Sequence, residues 1–259
     1  MIMIGLELNK VNKFIVGVLK GALTSNLFAV ISTGSAARGY YKEKWSDIDV
    51  LVVVEKLDLH TKNQIAVAIN ILEKKYKKHF GLNIINKQEF QKPILPTISL
   101  EGKTLQSLLE FKMFPGRMIF CKDKSIKKVY TPSKAEIKKY SLSNIAMFLL
   151  RNRRTACSQK TKLIDDYKNI VAKEMRASFI ITKLAIQHFT LHTCANNEEV
   201  VQMAEKIFPD FDFKTLKVNL QTIDNWGKTK ERSKLNTLLE LNDSFIENFN
   251  YYVFKKNQK

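Results

Sequence analysis

Two aspartates, Asp47 and Asp49, flank a single apolar residue at the start of the run Ile48 to Val54. If that run is a strand, side chains two apart share a face, so both carboxylates point one way while Ile48 and Val50 enter a core. Two like charges side by side are costly unless a cation lies between them, and an oxygen-only donor pair suits Mg²⁺ or Mn²⁺ better than zinc. Upstream, the apolar run Leu27 to Thr33 ends at Gly34-Ser35. A glycine there lets backbone approach a phosphate, and a serine hydroxyl and N–H can hydrogen-bond it. The expected chemistry is therefore a divalent metal meeting a polyphosphate.

The elements that must hold these groups are two strands joined by a polar loop, Ala36 to Ser46, which carries Arg38, Lys42 and Lys44. Residues 8–23 place Leu8, Val11, Phe14, Ile15, Val18 and Leu19 at helical spacing, predicting an amphipathic helix ahead of the first strand. Thr61 to Lys78 reads as a second helix with a lysine-rich end suited to the negative helix terminus. Gly81 is expected to break it, leaving Leu82 to Asn86 as a third strand. Beyond, Pro93 and Pro96 predict a loop and a short strand. Thr104 to Met113 reads as a helix, Pro115-Gly116 as a turn, and Arg117 to Cys121 as a last strand. Lys122 to Ser133 is the expected linker.

From Lys134 onward the pattern is helical, with Ser133 and Glu136 spaced as a capping box. Further helices are expected over Leu163 to Leu191, Asn197 to Phe208, Phe213 to Asn225 and Lys234 to Phe254, a bundle of four or five members. The division is into residues 1–130 and 131–259, an α+β chain with a mixed-sheet α/β domain and an all-helical domain.

The string GSAARG, eleven residues from Ala36 to Ser46, and then DIDVLVVV resembles the signature of the DNA polymerase β-like nucleotidyltransferase superfamily, in particular its small prokaryotic members. The resemblance implies transfer of a nucleoside monophosphate from an NTP to a hydroxyl with Mg²⁺. Asp47 and Asp49 would be catalytic metal ligands, and Gly34, Ser35, Arg38, Lys44 and Ser46 would bind nucleotide. Family members usually carry a third carboxylate on the next strand that activates the attacking hydroxyl. The matching position here is Asn83, which is neutral and cannot take a proton. Either Glu89 or Glu101 supplies the missing group, or the enzyme works with two carboxylates, or the site binds nucleotide without turnover. The helical half resembles the bundles accompanying small nucleotidyltransferases, which would wall the cleft. The arginine-to-histidine motif of helical ribonucleases of that type is absent, although Arg151-Asn152-Arg153-Arg154 is a dense basic cluster.

Net charge is +18 in 259 residues. Such a surface attracts polyanions, with RNA as the leading candidate partner. The acceptor classes left open are an RNA end, a partner protein's hydroxyl and a small molecule. The rivals are a non-catalytic regulatory module of toxin-antitoxin type and a basic RNA-binding platform. No apolar run reaches the length of a membrane span, and the N-terminal residues do not read as a signal peptide, so cytoplasmic residence is expected. His188 and His192 read as ordinary helix residues. Tyr40, Tyr41 and Trp45 either stack on a base or anchor their own loop.

Overall fold

The computed structural model describes residues 5–42, 45–91, 118–123, 132–157, 164–229 and 231–258. The chain divides into two compact units, Met1–Pro132 and Ser133–Lys259.

In the first unit, β1 (Leu27–Thr33), β2 (Ile48–Val54), β3 (Phe80–Asn86) and β4 (Met118–Cys121) form a mixed sheet of order β3-β2-β1-β4. β1 runs antiparallel to β2 and β4, while β2 and β3 are parallel. Parallel neighbours need a crossover, and α3 (Leu59–Tyr76) provides it. α1 (Gly5–Leu23) and α3 cover one face, burying Val11, Ile15 and Leu19, and Ile65 and Leu72, against Ile48, Val50, Val52 and Val54. The opposite face buries Phe28, Ile31, Leu51, Val53, Ile85 and Phe90. Coverage on both sides explains why β1 and β2 read as unbroken apolar runs rather than alternating ones.

The helix before β3 stops earlier than the glycine suggests. Lys77 takes a left-handed conformation (φ 50°) and ends α3, so β3 already begins at Phe80 with Gly81 inside it. At the other end Asp58 Oδ1 accepts the Thr61 N–H at 2.9 Å, a cap that holds the Asp58 carboxyl down to about 2. A short helix absent from the sequence reading, α4 (Lys87–Gln91), follows β3 directly. The helix expected over Thr104 to Met113, the Pro115-Gly116 turn and most of the linker lie outside the described residues.

The second unit contains α5 (Lys134–Cys157), α6 (Ile164–Thr190), α7 (Asn197–Ile207), α8 (Lys214–Asp224) and α9 (Arg232–Asn257). The capping box forms at α5: Ser133 Oγ accepts the Glu136 N–H at 3.2 Å, and Glu136 Oε2 accepts the Ser133 N–H at 2.7 Å. Phe208, Phe213, Phe245 and Phe249 pack ring to ring, with Phe249 stacked on Phe245 at 5.4 Å. Trp226, in a turn after α8, is buried under Lys168, whose Nζ lies 5.0 Å from the ring centroid. Among the described residues no helix is long and apolar enough to cross a membrane.

One buried pair in this unit sets a pH dependence. Glu174 on α6 is 1% exposed, and its Oε2 accepts the Asn152 amide N–H at 2.7 Å, whereas Glu174 Oε1 and Asn152 Oδ1 are buried without a hydrogen-bond partner. Burial pushes the Glu174 carboxyl up from its ordinary value of 4.5; the Asn152 bond, Arg151 and Lys173 pull it back, and Asp243 pushes with burial. A protonated Glu174 can donate to Asn152 Oδ1 and satisfy both stranded oxygens at once. The folded state then holds this proton more tightly than the unfolded chain, so the group weakens the fold progressively as pH rises above 4.5. Glu174→Gln should flatten that dependence and raise the urea midpoint at pH 8 relative to wild type. A midpoint that falls equally at pH 5 and pH 8 would show instead that the carboxyl is held ionised.

Candidate active site

The site sits where β1 ends and β2 begins. Thr33 pairs with Asp49 across the antiparallel ladder, and on the other side Asp49 pairs with Gly81 of β3. The chain leaves β1 through Gly34, which adopts φ +71°, and makes one helical turn, α2 (Gly34–Ala37). A Cβ on Gly34 would overlap the Asp49 carboxylate, standing 3.0 Å from its Cγ. The glycine is thus required twice, for its left-handed backbone and for the space that the Asp49 side chain takes.

Behind α2 the loop is tied to itself. Ser35 O accepts the Tyr40 N–H at 2.9 Å, and Gly39 turns the chain with φ +80°. Ser46 Oγ accepts the Lys42 N–H at 3.0 Å, and Lys42 O accepts the Ser46 N–H at 2.7 Å. Ser46, expected among the nucleotide-binding residues, therefore closes the loop that delivers Asp47. Tyr41 and Trp45 are buried at 5% and 9% exposure and anchor the loop in its own domain, while Tyr40 is exposed. Asp47 is half-buried and immediately precedes β2, where the Ile48 N–H donates to His79 O at 3.2 Å. Ser35 and Arg38 are half-buried at the two ends of α2, and Lys44 lies outside the described residues.

Asn83 is in register with Leu51, two residues along from the level of Asp49 and on the same face by strand alternation. The rise per residue and the strand spacing put it about 8 Å from Asp49, Cα to Cα. Glu89 is not its substitute. Its Oε2 accepts the Asn86 N–H and Asn86 Oδ1 accepts the Glu89 N–H, both at 2.8 Å, which caps α4 beyond the far end of β3. That end is five register steps, about 16 Å, from Asp49. The Asn-x-x-Glu spacing was the available signal for this cap. Glu101 lies outside the described residues. In the arginine cluster, Arg153 spends its guanidinium on Glu247 with bonds of 2.7 and 2.8 Å, and Arg151 lies over the Phe148 ring.

Residues 19–103 match the model of the nucleotidyltransferase domain family. The chain carries a nucleotidyltransferase domain over these residues. The mixed sheet with a helical C-terminal part is also the fold of a solved structure, a spectinomycin adenyltransferase from Enterococcus faecialis crystallised with ATP and spectinomycin. The two share 13% identity with a TM-score of 0.62, over 92% of this chain and 98% of the other. No curated protein matches this chain in sequence.

Proposed function

We propose that this protein moves a nucleoside monophosphate from an NTP to a hydroxyl acceptor with Mg²⁺ or Mn²⁺ as cofactor. The observation that carries the reading is the fit between Gly34 and Asp49: the missing Cβ leaves room for a carboxylate directly against a glycine-serine turn. That donor chemistry fits a hard divalent ion, which Asp47 and Asp49 would hold. When bound, the ion would neutralise triphosphate charge and polarise the reacting phosphorus. Ser35 would hydrogen-bond phosphate oxygens, and Arg38 would balance the negative charge that collects on the departing pyrophosphate. The buried anchors Tyr41 and Trp45 fix the loop, so Asp47 is delivered from a rigid base.

A polyanionic acceptor such as an RNA end suits the +18 charge better than a cationic drug does. ATP with spectinomycin, the pair bound by the architectural relative, nevertheless belongs in the assay. Each α-labelled NTP with Mg²⁺ is offered total RNA, lysate protein or spectinomycin. Labelled acceptor and released pyrophosphate are expected from one combination, and chelation or Asp47→Ala should abolish both. Asn83 favours a second reading, a nucleotide-binding regulatory module. Saturable, Mg²⁺-dependent NTP binding with no labelling of any acceptor would decide for it.

A further inference from the structure

In the helical unit, and distinct from the residues proposed for nucleotide and Mg²⁺, His192, Cys194 and Glu199 each present one donor atom within 4.8 Å of the others. They lie within an eight-residue stretch that runs from the turn after α6 into the first turn of α7. The sequence reading took His188 and His192, four residues apart, as ordinary helix residues. The structure separates them: α6 ends at Thr190, and Leu191 turns the chain with φ +61°. His188 stays in the helix, bonded to Lys138 O and Asn257 Oδ1. His192 is swung instead toward the start of α7, where its Nε2 lies 2.7 Å from Glu199 Oε1.

The surrounding bonds hold the three donors in place. Thr190 Oγ1 accepts the His192 N–H at 3.2 Å, and Gln187 donates to Thr193 Oγ1 at 3.0 Å, fixing the residues on either side of the turn. Asn196 caps α7 by accepting the Glu199 N–H at 2.7 Å, and Glu199 Oε2 accepts the Ala195 N–H. Such outer bonds are what orient metal ligands before the metal arrives. Cys194 brings a thiol to the same point as the imidazole and the carboxylate. Cys194 is 0% exposed there, while His192 and Glu199 keep side-chain exposures of 41% and 30% that give an ion access.

We propose that His192, Cys194 and Glu199 form a transition-metal site, selective for zinc-like ions, that fastens the end of α6 to the start of α7. One nitrogen, one sulfur and one oxygen donor is a borderline-soft set, which disfavours Mg²⁺ and Ca²⁺ and suits Zn²⁺ or Co²⁺. Neighbouring donors around tetrahedral zinc stand about 3.3–3.7 Å apart. The His192–Glu199 contact therefore opens by under about 1 Å as the ion enters between them, with His192 binding through Nε2 and carrying its ring proton on Nδ1. Binding forms a metal–sulfur bond and releases the Cys194 thiol proton to solvent. Three protein ligands leave the fourth position to water.

The test is Co²⁺ titration of the full chain after chelator treatment. One Co²⁺ per chain is expected, with a near-ultraviolet thiolate-to-cobalt charge-transfer band that Zn²⁺ displaces. Cys194→Ser should remove the band, and His192→Gln should weaken Co²⁺ binding about 100-fold or more. Cys121→Ser, Cys157→Ser and Asp49→Ala should keep it, which separates this site from the nucleotide site. Far-ultraviolet circular dichroism establishes that each variant is folded, and should Cys194→Ser fail to fold, His192→Gln carries the decision. No charge-transfer band, a band that survives Cys194→Ser or a band unaffected by His192→Gln overturns the proposal.

Discussion

Gly34→Ala is expected to cost this protein about as much of the proposed transfer activity as Asp49→Ala, on the order of 10³-fold, without unfolding it. A methyl group at this position meets the Asp49 carboxylate, whose Cγ would lie 3.0 Å away, while the backbone stays at φ +71°. The left-handed conformation costs alanine roughly 1–2 kcal/mol, which a domain of this size tolerates. The carboxylate cannot keep its place. Metal charge at a reacting phosphoryl group is worth several kcal/mol, and each 1.36 kcal/mol is tenfold in rate. Single-turnover labelling beside circular dichroism checks both halves of the expectation. Wild-type turnover in Gly34→Ala would mean that Asp49 is not the group that matters.

Asn83→Asp should act in the opposite direction and raise the transfer rate by about 10²–10⁴, the usual worth of a positioned general base. Asn83 shares a sheet face with Asp49 on the adjoining parallel strand, so an added carboxylate enters the same region without disturbing the ladder. It also adds a like charge, which raises its own proton affinity until a divalent ion compensates. The gain should therefore depend on Mg²⁺ more steeply than the wild-type rate does, and should appear in kcat rather than KM. An unchanged rate at saturating Mg²⁺ would place the proton acceptor elsewhere, on the acceptor molecule itself or on a carboxylate outside this sheet.

The strands were legible because their physics is local. Leu27–Thr33 and Ile48–Val54 are apolar runs bounded by a glycine-serine turn and by aspartates, and their limits in the structure are those read from the sequence. The long helices were legible for the same reason, with Ser133 and Glu136 marking a start that the structure repeats bond for bond. What stayed hidden depends on partners distant in the chain. Nothing near Gly34 says that Asp49 will fill the volume of its absent side chain, since that follows from the β1–β2 register. Glu89 looked available as a catalytic carboxylate until Asn86 claimed it as a cap. Lys77 ended α3 by taking a left-handed conformation that glycine usually takes, so the visible Gly81 pointed to the wrong residue. His192, read as a helix residue, lies just past the end of its helix, where Leu191 turns the chain with a positive φ.

The two tryptophans, both buried, fall one to each unit: Trp45 in the loop that delivers Asp47, Trp226 beneath Lys168 in the turn after α8. Each half of the molecule thus has its own intrinsic emitter. Trp45→Phe silences the first and Trp226→Phe the second, so fluorescence melts of the two variants follow each half's loss of structure in turn, with no extrinsic label.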